Sequence, residues 1–108
     1  MVFMRLPRSF VIKGSRWGVK TRAQGRLFDD DGNAVLGLCD YENKTIWVER
    51  GHSKEMTADI LLHEFIHASA EELHLQLSRS QDEILALGLT QCLLQCFEIH
   101  PKRRRTER

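Results

Sequence analysis

The sequence predicts an α+β fold, in which a short antiparallel β-sheet, built from an N-terminal strand and a hairpin, packs on two C-terminal helices. Three observations predict it. Alternating, extended patterns are confined to the first half of the chain. Gly51 and Ser53 end that region, and helical periodicity fills the remainder up to Pro101. With 108 residues and 42% hydrophobic content, the chain suits one domain over residues 1–100, too small for two independent cores. Residues 101–108 form a basic tail expected to lack structure.

The elements follow in order. Phe10 to Arg22 is extended, with Gly14 and Gly18 as breaks and with Val19 and Thr21 alternating against Lys20 and Arg22. Asp29 to Asn33 (DDDGN) is a turn, because Gly and Asn accept positive φ and Asp caps turns. Leu36 and Leu38 then alternate towards one face, Tyr41 to Lys44 is a polar turn, and TIWVE, Thr45 to Glu49, is β-branched and aromatic. Together they read as a β-hairpin. Ser53 is the expected N-cap of the first helix, with Glu55 in the first turn where the helix dipole favours an anion. That helix runs to about Leu75. The second spans about Gln81 to Glu98 and is stopped by Pro101.

Composition excludes several classes. No segment approaches the roughly 18 consecutive apolar residues of a membrane span, and Arg5, Pro7 and Arg8 interrupt any secretory h-region. Three cysteines, Cys39, Cys92 and Cys96, make an odd count with no framework spacing, which favours reduced thiols and a cytoplasmic location. Cys92 and Cys96 are expected to be small buried hydrophobes. Charge is segregated. Residues 1–26 carry seven Lys/Arg and no acid, the tail carries five more against Glu107, and residues 27–100 carry four basic and fourteen acidic side chains. The basic ends could touch nucleic acid. A solvated strand face and a solubilising tail are the preferred reading, because the acidic body repels phosphate.

The chemistry concentrates in ILLHEFIHASAEELH, Ile60 to His74. On a helix His63 and His67 share a face, close enough for both imidazoles to reach one cation. Glu64 leans to the side of the pair, where it can contact a water without binding the metal. That is why H-E-x-x-H suits metal-assisted hydrolysis: two neutral nitrogens hold Zn²⁺ and a carboxylate takes the water's proton. Ile60, Leu61, Leu62, Phe65, Ile66 and Ala68 surround the pair, so the polar groups are desolvated, which is costly unless something pairs with them. A catalytic zinc needs a third protein ligand and an open position. A third histidine in the metzincin position is excluded, because Ala70 and Leu73 stand where that pattern has its Gly and His. Glu71 and His74 lie too far along the same helix and belong to its wet end, with Glu72.

The second helix offers Glu83, with Asp82 behind it. Ser80 to Glu83 fits an S-x-x-E capping box that would occupy Glu83 on a backbone N–H. The overlapping box Ser78 to Gln81 would start the helix two residues earlier and free Glu83, which then shares an inward stripe with Leu87 and Leu94. An oxyanion-stabilising group is also required, for which Tyr41, His52 and His74 are candidates.

The run GLCDYENKTIWVERGHSKEMTADILLHEFIHA, Gly37 to Ala68, resembles the small, often phage-encoded zinc metallopeptidase-like proteins related to the ImmA/IrrE group. The likeness covers about residues 35–95, and its specific part is the hairpin followed by LLHEFIHA. It implies a minimal gluzincin-like core with His63, His67 and Glu83 as zinc ligands and Glu64 as general base. It also implies that an edge strand beside the helix, here Thr45, Ile46, Trp47, Val48 and Glu49, binds an extended peptide by β-augmentation. The expected function is zinc-dependent hydrolysis of a peptide or protein substrate in the cytoplasm, the host's if the chain is phage-encoded. The rival expectation is a non-catalytic, zinc-stabilised module that recognises a protein partner or nucleic acid.

Overall fold

The computed structural model describes residues 6–96; the expected helix end at Glu98 and the basic tail lie outside them. The chain is α+β, with strands β1 (Ser9–Ile12), β2 (Ser15–Arg22), β3 (Gly37–Asp40) and β4 (Thr45–Glu49) followed by helices α1 (Lys54–Glu72) and α2 (Arg79–Cys96). β1 and β2 are joined by Lys13 and Gly14, both with positive φ (49° and 82°). This is the two-residue turn whose twist matches a hairpin. Gly18, expected as a break, lies inside β2 and pairs with Thr45. The second hairpin joins β3 to β4 as expected. Asp40 closes its turn by accepting from the Asn43 backbone N–H (3.1 Å) and side-chain amide (2.9 Å).

The sheet is mixed rather than antiparallel. Its order is β1-β2-β4-β3, and β2 pairs with β4 in parallel. Residues 23–36 cause this. They carry the chain from the end of β2 past the slot that β4 fills, so β3 starts at the outer position and β4 turns back between β3 and β2. The DDDGN segment turns within that connection, with Asp29 Oδ1 accepting from the backbone N–H groups of Asp31 and Asn33 at 2.9 Å each. Thr45 to Glu49 is therefore an interior strand. Its backbone is paired on both sides, and Ile46 and Val48 are wholly buried. Thr45, Ile46, Trp47 and Val48 cannot add a peptide strand. The edge that borders α1 is β3.

One face of the sheet carries the core. Trp17, Ile46 and Val48 pack with Ile12, Ile60 and Ala68, and Phe10, Cys39, Leu61 and Phe65 close around them. Each large side chain so buried contributes about 1.5–3 kcal/mol. The Trp17 indole N–H donates to Glu72 Oε2 at 2.8 Å, and Lys44 pairs with the same oxygen at 3.0 Å. Lys44, then Trp17, hold the Glu72 carboxyl below its ordinary range. Glu72 therefore ties α1 to the sheet instead of facing water, as its neighbours Glu71 and His74 do.

Both helix starts follow from their caps. Ser53 Oγ accepts from Met56 N–H at 3.1 Å. At α2 the earlier of the two overlapping boxes forms: Gln81 N–H donates to Ser78 Oγ (3.1 Å) and Ser78 N–H to Gln81 Oε1 (2.9 Å). Glu83 is left free of capping. The inward stripe of α2 is Asp82, Ala86, Thr90 and the half-buried Leu94, and of the expected stripe Glu83 and Leu87 are exposed. Ala86 and Thr90 are buried, whereas Leu87 is 52% exposed. Small residues at i and i+4 let α2 approach α1 closely, and the bulkier Leu87 and Ile84 turn outward. Cys92 and Cys96 are exposed for the same reason, contrary to expectation. No helix of the described residues is long and apolar enough to cross a membrane.

Candidate metal centre

His63 and His67 lie one turn apart on α1, and their Nε2 atoms are 3.2 Å apart. The start of α2 crosses them so that the Glu83 carboxylate spans the pair. Its Oε2 is 3.1 Å from His63 Nε2, and its Oε1 is 3.1 Å from His67 Nε2. The histidines named from the sequence and the favoured carboxylate thus meet at one point. Four donors set tetrahedrally at zinc–ligand distances lie about 3.3 Å from one another, and one donor atom from each of these three residues lies within 4.8 Å of the other two, close enough to take three corners of such a site.

Asp82 occupies a different place. Its Oδ1 lies at ion-pair distance, 3.1 Å, from His67 Nδ1, and both atoms are cut off from solvent with no hydrogen-bond partner among the described residues. Asp82 thus stands behind the His67 ring, at the nitrogen that does not face Glu83. The Nε2 atoms of His67 and His63 and the Glu83 carboxylate converge within hydrogen-bond distance, and all three offer lone pairs in one tautomer of the rings. They repel unless a proton or a cation lies among them. A carboxylate placed behind the ring is the arrangement that orients metal-bound imidazoles. His63, His67 and Glu83 are a set that could hold a metal ion, with Asp82 positioning His67 from behind.

Glu64 is half-buried beside the cluster. Burial pushes its carboxyl up to about 7; His67 opposes that shift, and Glu83 and Asp82 add to it. Its position depends on Gly37. A Cβ there would lie 2.7 Å from Ile60 Cγ2 and 2.9 Å from Glu64 Oε2, so a glycine is needed for β3 to pass this close to α1. The sequence signal was a lone glycine at the start of a strand, which marks close approach only once the helix opposite is known. Gly37→Ala should destabilise the fold by about 1–3 kcal/mol through overpacking. Urea denaturation would read the shift, and an unchanged midpoint would show that the contact relaxes freely.

A groove of about 860 Å³ runs alongside β3 and reaches Glu64, His67, Asp82 and Glu83. Its remaining walls are strongly acidic, with Asp29, Asp30, Asp31, Asp40 and Glu42 against Arg79. Tyr41 also lines it, edge-on to Trp17; burial first, then the neighbouring Cys39, keeps its hydroxyl protonated by raising its pKa. The other two oxyanion candidates are placed elsewhere. His52 is bound to Glu49 at 2.7 Å, and His74 is exposed beyond the end of α1. No family model, curated protein or solved structure matches the chain.

Proposed function

We propose that this protein is a zinc-dependent peptide hydrolase, with His63, His67 and Glu83 as the metal-binding set and Glu64 as general base. The observation that carries this reading is the convergence of two imidazole nitrogens and a carboxylate beside a half-buried glutamate, where Glu64, His67 and Glu83 line a groove bordered by β3. A bound zinc ion would polarise a carbonyl and bring the pKa of a water in the site down to about 7.

The chain's own groups supply the rest. The outer edge of β3, Gly37 to Asp40, which pairs with no strand of the described residues, offers backbone donors and acceptors to an extended segment, which fixes the scissile bond relative to α1. Glu64 takes the proton of the attacking water and returns it to the leaving amine. Tyr41, held protonated in the groove, is the group that can donate to the oxyanion. The acidic walls match Lys- or Arg-containing segments better than acidic ones. A purely structural metal site would need no carboxylate at position 64, which disfavours the rival reading of a non-catalytic module.

The test is digestion of a broad peptide pool by chelator-treated protein before and after one equivalent of zinc. Zinc-restored cleavage, richer in basic peptides than in acidic ones, is expected. A zinc-loaded protein that cleaves nothing in the pool would overturn the assignment.

A further inference from the structure

The face of the sheet turned away from the helices carries a second set of side chains, independent of the peptidase reading. Strand side chains alternate between faces. Phe10, Trp17, Ile46, Val48 and Cys39 point to the core, so Arg16, Lys20 and Arg22 of β2 and Trp47 of β4 project to the other side. All three cations are exposed, and none forms an ion pair among the described residues. Two of them flank one aromatic ring, with Arg22 Cζ 4.6 Å and Lys20 Nζ 5.7 Å from the Trp47 centroid, and Arg16 lies further along the same strand.

The acids that share this face are already engaged. Glu49 is 6% exposed and accepts from Gly25 N–H (2.9 Å) and pairs with His52. Asp40, at the β3 edge, accepts from Asn43. Three like charges held along one strand repel one another, and a polyanion laid across them relieves that repulsion. The aromatic beside Lys20 and Arg22 selects among polyanions. An acidic polypeptide has no flat π-surface for Trp47, and the bases of a duplex are already stacked. An unpaired base can stack on the indole or on the guanidinium plane above it.

We propose that this open sheet face binds single-stranded nucleic acid, with phosphates at Arg16, Lys20 and Arg22 and a base at Trp47. Three phosphate contacts on a single strand give a salt slope of about −2 in log K against log salt. The full-length chain and a labelled oligothymidylate, followed by fluorescence anisotropy over a salt series, provide the test. Arg16→Gln, Lys20→Gln and Arg22→Gln should each weaken binding and each reduce the slope by about 0.7. Trp47→Leu should cost about tenfold in affinity and leave the slope unchanged. Circular dichroism would confirm that the variants fold, and the three glutamine changes lie on exposed positions that the core does not use. Wild-type affinity in the triple glutamine variant would overturn the proposal. So would equal affinity for polyglutamate, tighter binding to duplex, or binding that disappears when Arg103, Arg104 and Arg105 of the tail are changed to Gln.

Discussion

Glu64→Gln is expected to lower peptide hydrolysis by about 10²–10⁴-fold in kcat while the protein still takes up stoichiometric zinc. The geometry separates the two readouts. The atoms that converge are His63 Nε2, His67 Nε2 and the Glu83 carboxylate, and Glu64 is not among them, so an amide at position 64 leaves the metal-binding set intact. Glutamine has the same shape and fits beneath Gly37, where Glu64 Oε2 is in close approach. It cannot accept the water's proton. The fold should not suffer either, since burial is the main cause that raises the Glu64 carboxyl to about 7, and a neutral amide is easier to bury than a carboxylate. The result that would sink the general-base role is cleavage at the wild-type rate. A loss of zinc together with activity would instead place Glu64 among the ligands. Running the nucleic-acid titration on the same variant keeps the two surfaces separate, because Trp47 and its cations lie on the other face of the sheet.

What could be read from the sequence was local. The His63–His67 spacing acts through one helical turn, and the caps at Ser53 and Ser78 act through three residues. The β3–β4 turn is likewise closed by Asp40 and Asn43, which are three residues apart. Such features survive any arrangement of the rest of the chain. The misread features all depend on long-range placement. Whether β4 is an edge depends on which side of it β2 docks, and nothing in Thr45 to Glu49 records that. The exposed Leu87, Cys92 and Cys96 misled in the same way. Their apolar character suggested a core face, yet α2 packs chiefly on α1 through Ala86 and Thr90, and small residues carry little weight in a hydrophobic pattern. The acidic groove was hidden for a related reason: Asp29 to Asp31, Asp40 and Glu42 are each explained locally as turn residues, and only the tertiary fold gathers them around one space.

The choice between two adjacent carboxylates is the sharpest case, and it gives the second large prediction. Asp82 and Glu83 differ by about 100° around α2, and only the roll of that helix decides which reaches the histidines. In the structure Glu83 faces both Nε2 atoms and Asp82 faces His67 Nδ1. Glu83→Ala therefore removes a direct donor. With about 10–16 kcal/mol of zinc binding shared by four ligands, one ligand carries about 3 kcal/mol, or roughly a few hundredfold in affinity. Asp82→Ala acts only through the orientation of His67 and should cost about 10–100-fold. The conservative changes separate the roles further. Asp82→Asn keeps an oxygen that can accept from His67 Nδ1 and should recover most of the loss, whereas Glu83→Gln replaces a charged donor by a weak one and should recover little. Competition for zinc against a chromophoric chelator measures all four variants on one scale. If Asp82→Ala weakened zinc more than Glu83→Ala, the roles would be reversed. If neither mattered, the histidine pair would have to find its third ligand outside α2.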